Sequence, residues 1–218
     1  QNPRTRGRHL PAGVLTERQV VLFCLVNCAL FVASTLLFLP NWLPLALSVP
    51  VLVWLLSYSY AKRFTALAHF WLGAALMFAP IAAWIALRGT VDWPPVLLGL
   101  AVLFWVAGFD TIYACQDADF DRAHGLRSLP ARWGVARALR LAAVFHALTL
   151  VALVALAWSF PPFGPVFRVG VIAVAALLVY EHALVQPTDL TRVNQAFFQV
   201  NIAISLGLLA CGALDLAT

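Results

Sequence analysis

Seven apolar stretches, each about 20 residues long and so able to cross a bilayer, follow one another along this chain with short polar gaps between them. They run near 17–39, 41–60, 67–88, 94–115, 136–158, 162–184 and 194–214. A soluble domain of 218 residues cannot hide an apolar content of 63% when only 11% of its residues are charged. The expected fold is all-α: a polytopic bundle of seven transmembrane helices forming one domain over residues 1–218. No gap is long enough for a soluble domain, and no repeat is visible. The opening QNPRTRGRHLPAG is polar and arginine-rich and does not read as a signal peptide.

Charge placement predicts the orientation. With the N-terminus inside, 12 of the 14 basic residues fall on or near inner loops, and Arg88 and Arg168 fall near outer ones. This is a strong positive-inside pattern. The basic residues are scattered over membrane loops and form no continuous basic surface, so nucleic acid is not an expected partner. Cys24, Cys28, Cys115 and Cys211 all lie in apolar segments without a CxxC spacing, which argues against a metal or redox role.

Local signals set the helix ends. Thr16 is placed to cap the first helix, and Pro40 closes it. Pro80 is expected to kink the third segment, and FPPFGP (160–165) makes an outer turn. Asn194, Gln195, Gln199 and Asn201 mark the polar inner end of the seventh segment. The large polar clusters thus share one side, as a site opening toward the cytoplasm would require.

Four of the nine acidic residues lie within DTIYACQDADFD, residues 110–121. Asp110, Tyr113, Asp117 and Asp121 follow spacings of three, four and four, which share one face of a helix. Asp117 and Asp121 would then stand roughly 6 Å apart along the axis. Two carboxylates so placed can share a divalent cation. Mg²⁺ suits them, because it takes hard oxygen ligands and binds substrate phosphates through one or two carboxylates. Asp119 points elsewhere and reads as a solvated acid; for Asp121, on local grounds, solvated acid and ligand are both open. Asp110 lies below the membrane surface, where a carboxylate costs about 2.5–3.5 kcal/mol on insertion scales, so it calls for a partner or a task.

The row D-x-x-Y-A-x-x-D-x-x-x-D resembles the second aspartate-rich motif of the UbiA superfamily of intramembrane prenyltransferases. Three other stretches support the resemblance. YSYAKRFT (58–65) is similar to the family's Y-P-x-x-K-R-x-T, with Ser59 for proline. RTRGRHLPAG (4–13) is similar to R-T-x-x-R-P-L-x-x-G, with His9 for proline. NQAFFQVN (194–201) is similar to N-x-A-F-F-x-x-N. Within the superfamily, FTALAHFWLGAALMFAPIAAWIALRG (64–89) looks most like the 4-hydroxybenzoate and menaquinone-pathway branches. The family has nine helices and two acidic motifs. The seven spans here resemble its helices three to nine, and the first motif, N-D-x-x-D-x-x-x-D, would lie ahead of Gln1. The resemblance therefore implies an N-terminally incomplete domain.

The resemblance implies transfer of a polyprenyl group from an isoprenyl diphosphate to an aromatic acceptor, 4-hydroxybenzoate or a related quinone precursor, in a bacterial inner membrane. It implies Mg²⁺ held by Asp117 and Asp121, diphosphate bound by Lys62, Arg4 and Arg8, and Tyr58, Tyr113 and Asp110 as catalytic groups. Asp110 would orient an arginine or assist the acceptor. Trp54, Phe104 and Phe197 are candidates for aromatic faces near the allylic cation. On residues alone, Lys62 and Arg63 read as interface anchors; the resemblance moves Lys62 to a ligand and leaves Arg63 open. His69 and His146 read as packed or hydrogen-bonded helix residues, His124 and His182 as loop residues, and Asn27 as an interhelical bond. Two other classes remain. A non-catalytic membrane fragment or scaffold stays open because the first motif is absent from these residues. A transporter fits less well, since the acids gather at one mouth and no inverted repeat is evident.

Overall fold

The computed structural model describes residues 2 and 4–218. Among them, seven helical spans are long and apolar enough to cross a membrane: Glu17–Phe38, Leu43–Phe64, Ala68–Arg88, Trp93–Ala123, Val135–Ser159, Pro165–Ala183 and Gln195–Ala217. The chain is an integral membrane protein, all-α as its apolar runs required.

In chain order the helices are α1 (Glu17–Thr35), α2 (Leu43–Phe64), α3 (Ala68–Arg88), α4 (Trp93–Ala114), α5 (Ala118–Ala123), α6 (Leu129–Trp133), α7 (Val135–Ser159), α8 (Pro165–Ala183) and α9 (Asn201–Ala217). Their ends follow local chemistry. Thr16 caps α1 in a reciprocal box with Gln19. Prolines enter α2, α4, α6 and α8 in the first turn, where a missing N–H costs nothing. Gly89 ends α3 at φ 70°, a left-handed conformation that a side chain would strain.

The centre of the bundle is α4, which packs most extensively on α3 and α7. Small residues make this approach possible. Ala101, Ala107, Ala138, Ala142 and Ala157 are all buried. A Cβ on Gly73 would meet the Leu103 backbone, and one on Gly108 would collide with the His146 ring. Close backbone contact through small residues is the usual way helices associate where lipid removes a hydrophobic drive. By contrast, α1 is apolar all round and buries Thr35 alone. Asn27 on this helix donates to the carbonyl of Phe23 in the same helix, not across to a neighbour as expected.

Aromatic and polar locks join neighbouring helices. Trp54 and Trp71 stack 4.1 Å apart, and each indole donates to the other's carbonyl, which ties α2 to α3. At the opposite end from the acidic row, the Asp215 carboxylate of α9 accepts from the backbone N–H groups of Gly164 at 2.9 Å, Phe167 at 2.6 Å and Val166 at 3.3 Å. This is an N-cap supplied by another helix. The Asp215→Ala change is expected to cost about 1–2 kcal/mol and to speed hydrogen exchange at those three amides. Unchanged exchange would show that Asp215 does not cap α8.

Candidate active site

The acidic row does not continue as one α-helix. After α4 the chain tightens into a 3₁₀ turn, Cys115–Asp117, and resumes as α5. Both metal candidates still face inward: Asp117 is 6% exposed and Asp121 2% exposed. Asp119 points outward and pairs with Arg122 at 2.9 Å, as its position in the row predicted.

Each buried carboxylate meets a cation from a distant part of the chain. The Arg4 guanidinium grips Asp117 with two parallel bonds, Nε to Oδ1 at 2.9 Å and Nη2 to Oδ2 at 2.5 Å. Such a fork adds geometric specificity as well as energy. Arg4 Nη1 also donates to the Tyr113 hydroxyl at 2.8 Å, and Asn2 donates to Asp117 at 2.8 Å. Hydrogen bonding to Asp117 raises the Arg4 pKa above its ordinary value and keeps the guanidinium charged. Lys62, on the last turn of α2, reaches Asp121 at 3.1 Å. The loop after α5 is strapped to the same turn, because Arg127 donates from its backbone to the Lys62 carbonyl at 2.7 Å and from its side chain to that of Phe64 at 2.7 Å. The opening segment and α2 thus converge on the two aspartates, with the loop after α5 tied to the same turn of α2.

Deeper along α4, Asp110 bonds to His69 of α3 at 2.6 Å. The partner is a histidine, where an arginine was one of the expected options. Tyr58 is half-buried one turn before Lys62 on α2. Phe197 packs against Tyr113 with ring centres 4.2 Å apart and planes tilted by 31°, and Phe109 and Trp105 continue the aromatic wall at 5.3 Å steps. The wall leads to a cavity of about 410 Å³ lined by apolar side chains, among them Leu98, Val102, Leu153, Phe167 and Leu208.

Some candidates lie apart from this cluster, and one histidine departs from expectation. Arg8 is exposed, and among the described residues no ion pair links it to the aspartates. Trp54 belongs to the α2–α3 lock and Phe104 packs on Phe70, so of the three aromatic candidates Phe197 alone joins Tyr113. His182 lies within α8, not in a loop, and its Nε2 is 3.0 Å from His146 Nδ1. That pair adjoins the fully buried Glu181, 4.0 Å from His146, and Trp105 donates to the buried Asn201 at 2.8 Å. The His69–Asp110 and His146–His182 pairs join residues 41 and 36 positions apart, on different helices. No periodicity reveals such pairs. An isolated histidine in an apolar run is the signal that points to them.

The match to known proteins agrees with this geometry. The model of the UbiA prenyltransferase family matches residues 1–203. The chain belongs to that family. Among UbiA relatives, a 4-hydroxybenzoate octaprenyltransferase of Nitrosomonas europaea is 34% identical over 204 residues, 91% of this chain and 66% of the relative. One from Xanthomonas oryzae pv. oryzae is 32% identical over 216 residues, covering 96% and 70%. The apo structure of a UbiA homologue from Aeropyrum pernix K1 superposes with a TM-score of 0.82 at 32% identity, covering 96% of this chain and 78% of that one. The chain thus spans about two thirds of the length of the octaprenyltransferases it matches.

Proposed function

We propose that this chain is a single transmembrane prenyltransferase domain that moves a polyprenyl group from its diphosphate to an aromatic acceptor such as 4-hydroxybenzoate, in quinone biosynthesis. The observation that carries the reading is the pair of buried carboxylates, each met by a basic side chain from another segment, at one end of a membrane bundle. The names of the octaprenyltransferase relatives support the substrate class. The basic residues gathered at the same end support a mouth facing the cytoplasm from the bacterial inner membrane.

The donor set suits Mg²⁺. Asp117 and Asp121 offer hard oxygens, and among the described residues no cluster of three acidic, histidine or cysteine side chains forms a closed cage. An ion that uses one or two carboxylates and completes its shell with substrate phosphates fits such an open pair. Bound there, Mg²⁺ would neutralise charge on the leaving diphosphate. Arg4 and Lys62, which pair with the aspartates, would move onto the diphosphate oxygens, so the same two cations balance the carboxylates and grip the substrate. The Tyr113 hydroxyl would donate to the diphosphate beside Arg4, and Tyr58 would donate from the Lys62 side. The wall of Phe197, Phe109 and Trp105 would face the allylic cation and exclude water. The tail would run on into the apolar cavity.

The test is divalent-dependent binding of farnesyl thiodiphosphate, followed by turnover with farnesyl diphosphate and 4-hydroxybenzoate. Chelation with EDTA is expected to remove both, and Mg²⁺ to restore both. Binding that survives chelation would remove the metal from the mechanism. Binding without turnover would favour a non-catalytic membrane protein.

A further inference from the structure

His69 is fully buried in α3, an otherwise apolar helix. Its Nδ1 stands 2.6 Å from Asp110 Oδ2, and its Nε2 has no hydrogen-bond partner among the described residues. A buried polar nitrogen left unpaired carries a desolvation cost. His69 fills space in the core, but an apolar side chain of similar size would fill it without leaving a nitrogen unpaired. The reason for an imidazole here lies in Asp110. That carboxylate keeps 15% of its side chain exposed while the histidine behind it keeps none. Asp110 also shares its helical face with Tyr113, three residues on. The arrangement is a carboxylate open on one side and held from behind, where a hydrogen-bonded partner fixes the orientation of a proton-transferring group.

We propose that Asp110 accepts the proton that the aromatic ring loses during prenyl transfer, and that His69 is the positioning residue that aims it. This rests on the prenyl-transfer reading above. The bond between prenyl C1 and oxygen breaks, and diphosphate leaves with its electron pair. A carbon–carbon bond forms between C1 and an electron-rich ring carbon. The C–H bond at that carbon then breaks, its electron pair returns to the ring, and the proton goes to the Asp110 carboxylate. His69 donates from Nδ1 to Asp110, which holds one carboxylate oxygen in place, leaves the other free to take the proton, and leaves Nε2 bare.

The experiment uses membranes carrying the full chain, with farnesyl diphosphate, Mg²⁺ and either ordinary or ring-deuterated 4-hydroxybenzoate. His69→Leu removes the donor. It is expected to lower kcat about 10²-fold, to leave both KM values unchanged, and to expose a primary isotope effect that the unaltered chain lacks. His69→Gln restores an N–H toward Asp110 and is expected to recover most of kcat and to suppress the isotope effect. A His69→Leu chain that loses less than about threefold in kcat, with no isotope effect, overturns the proposal. So does a loss that glutamine does not rescue and that shows no isotope effect, since that marks a packing role. If His69→Leu fails to accumulate, Asp110→Asn carries the test: the isotope effect must appear there, and its absence overturns the proposal. No turnover in the unaltered chain overturns the prenyl-transfer reading itself, and this proposal with it. Normal turnover with silent variants overturns this proposal alone.

Discussion

Asp117→Asn is expected to lower kcat/KM about 10³-fold while the protein still inserts and folds; losing one preorganised electrostatic contact to a developing anion costs about 10²–10³ in rate, and here two are disturbed. The amide has nearly the size of the carboxylate, so packing at this buried position is preserved. It presents one carbonyl oxygen to the Arg4 fork, which loses its second acceptor and its ionic partner. It is also a poorer ligand for Mg²⁺ than a carboxylate. Farnesyl thiodiphosphate binding should fall with turnover, because both depend on the same grip. Turnover of Asp117→Asn within about tenfold of the unaltered chain would place the diphosphate elsewhere.

Lys62→Met separates a structural from a functional role. Methionine keeps the apolar stem of the lysine and removes its charge. Asp121, with 3% of its side chain exposed, then loses its ion-pair partner. A buried charged group left unsatisfied costs about 2–3 kcal/mol. The lysine itself is about a third exposed, so water relieves part of the loss and the cost stays below that of a fully buried pair. The expected result is a lower unfolding temperature in detergent together with lost thiodiphosphate binding. Adding Asp121→Asn should restore stability, since the orphaned charge is gone, but not binding. Recovery of both by the double variant would make Lys62–Asp121 a structural pair and nothing more.

How far the site could be read in the sequence differs from residue to residue. The shared inward face of Asp117 and Asp121 was legible because a spacing of four puts two side chains on one face, and the short 3₁₀ turn that ends at Asp117 left both buried. Lys62 read as an interface anchor on its residues alone, and only the resemblance of YSYAKRFT to the family motif pointed to a ligand. Arg4 and Arg8 looked equivalent in the opening segment, yet Arg4 alone of the two bonds to an aspartate. Which arginine turns inward depends on how that segment folds over the bundle, and no local pattern encodes it. Trp54 looked like a site aromatic, but its indole finds the Trp71 carbonyl first. A buried N–H goes to the nearest free acceptor, and that acceptor lies on another helix.

The sequence by itself determined that seven helices are long and apolar enough to cross a membrane, where they start and stop, and that the carboxylates gather at one end of the bundle. These follow from length, hydropathy, capping residues and the distribution of arginine, which act over one or two helical turns. Tertiary structure alone decided the pairings: Arg4 with Asp117, Lys62 with Asp121, His69 with Asp110, and the aromatic wall that links Tyr113 to the apolar cavity. The three polar pairs join residues 41 to 113 positions apart. They depend on helix order, crossing distance and the small residues that let α3 and α7 close on α4, and a linear pattern carries none of the three.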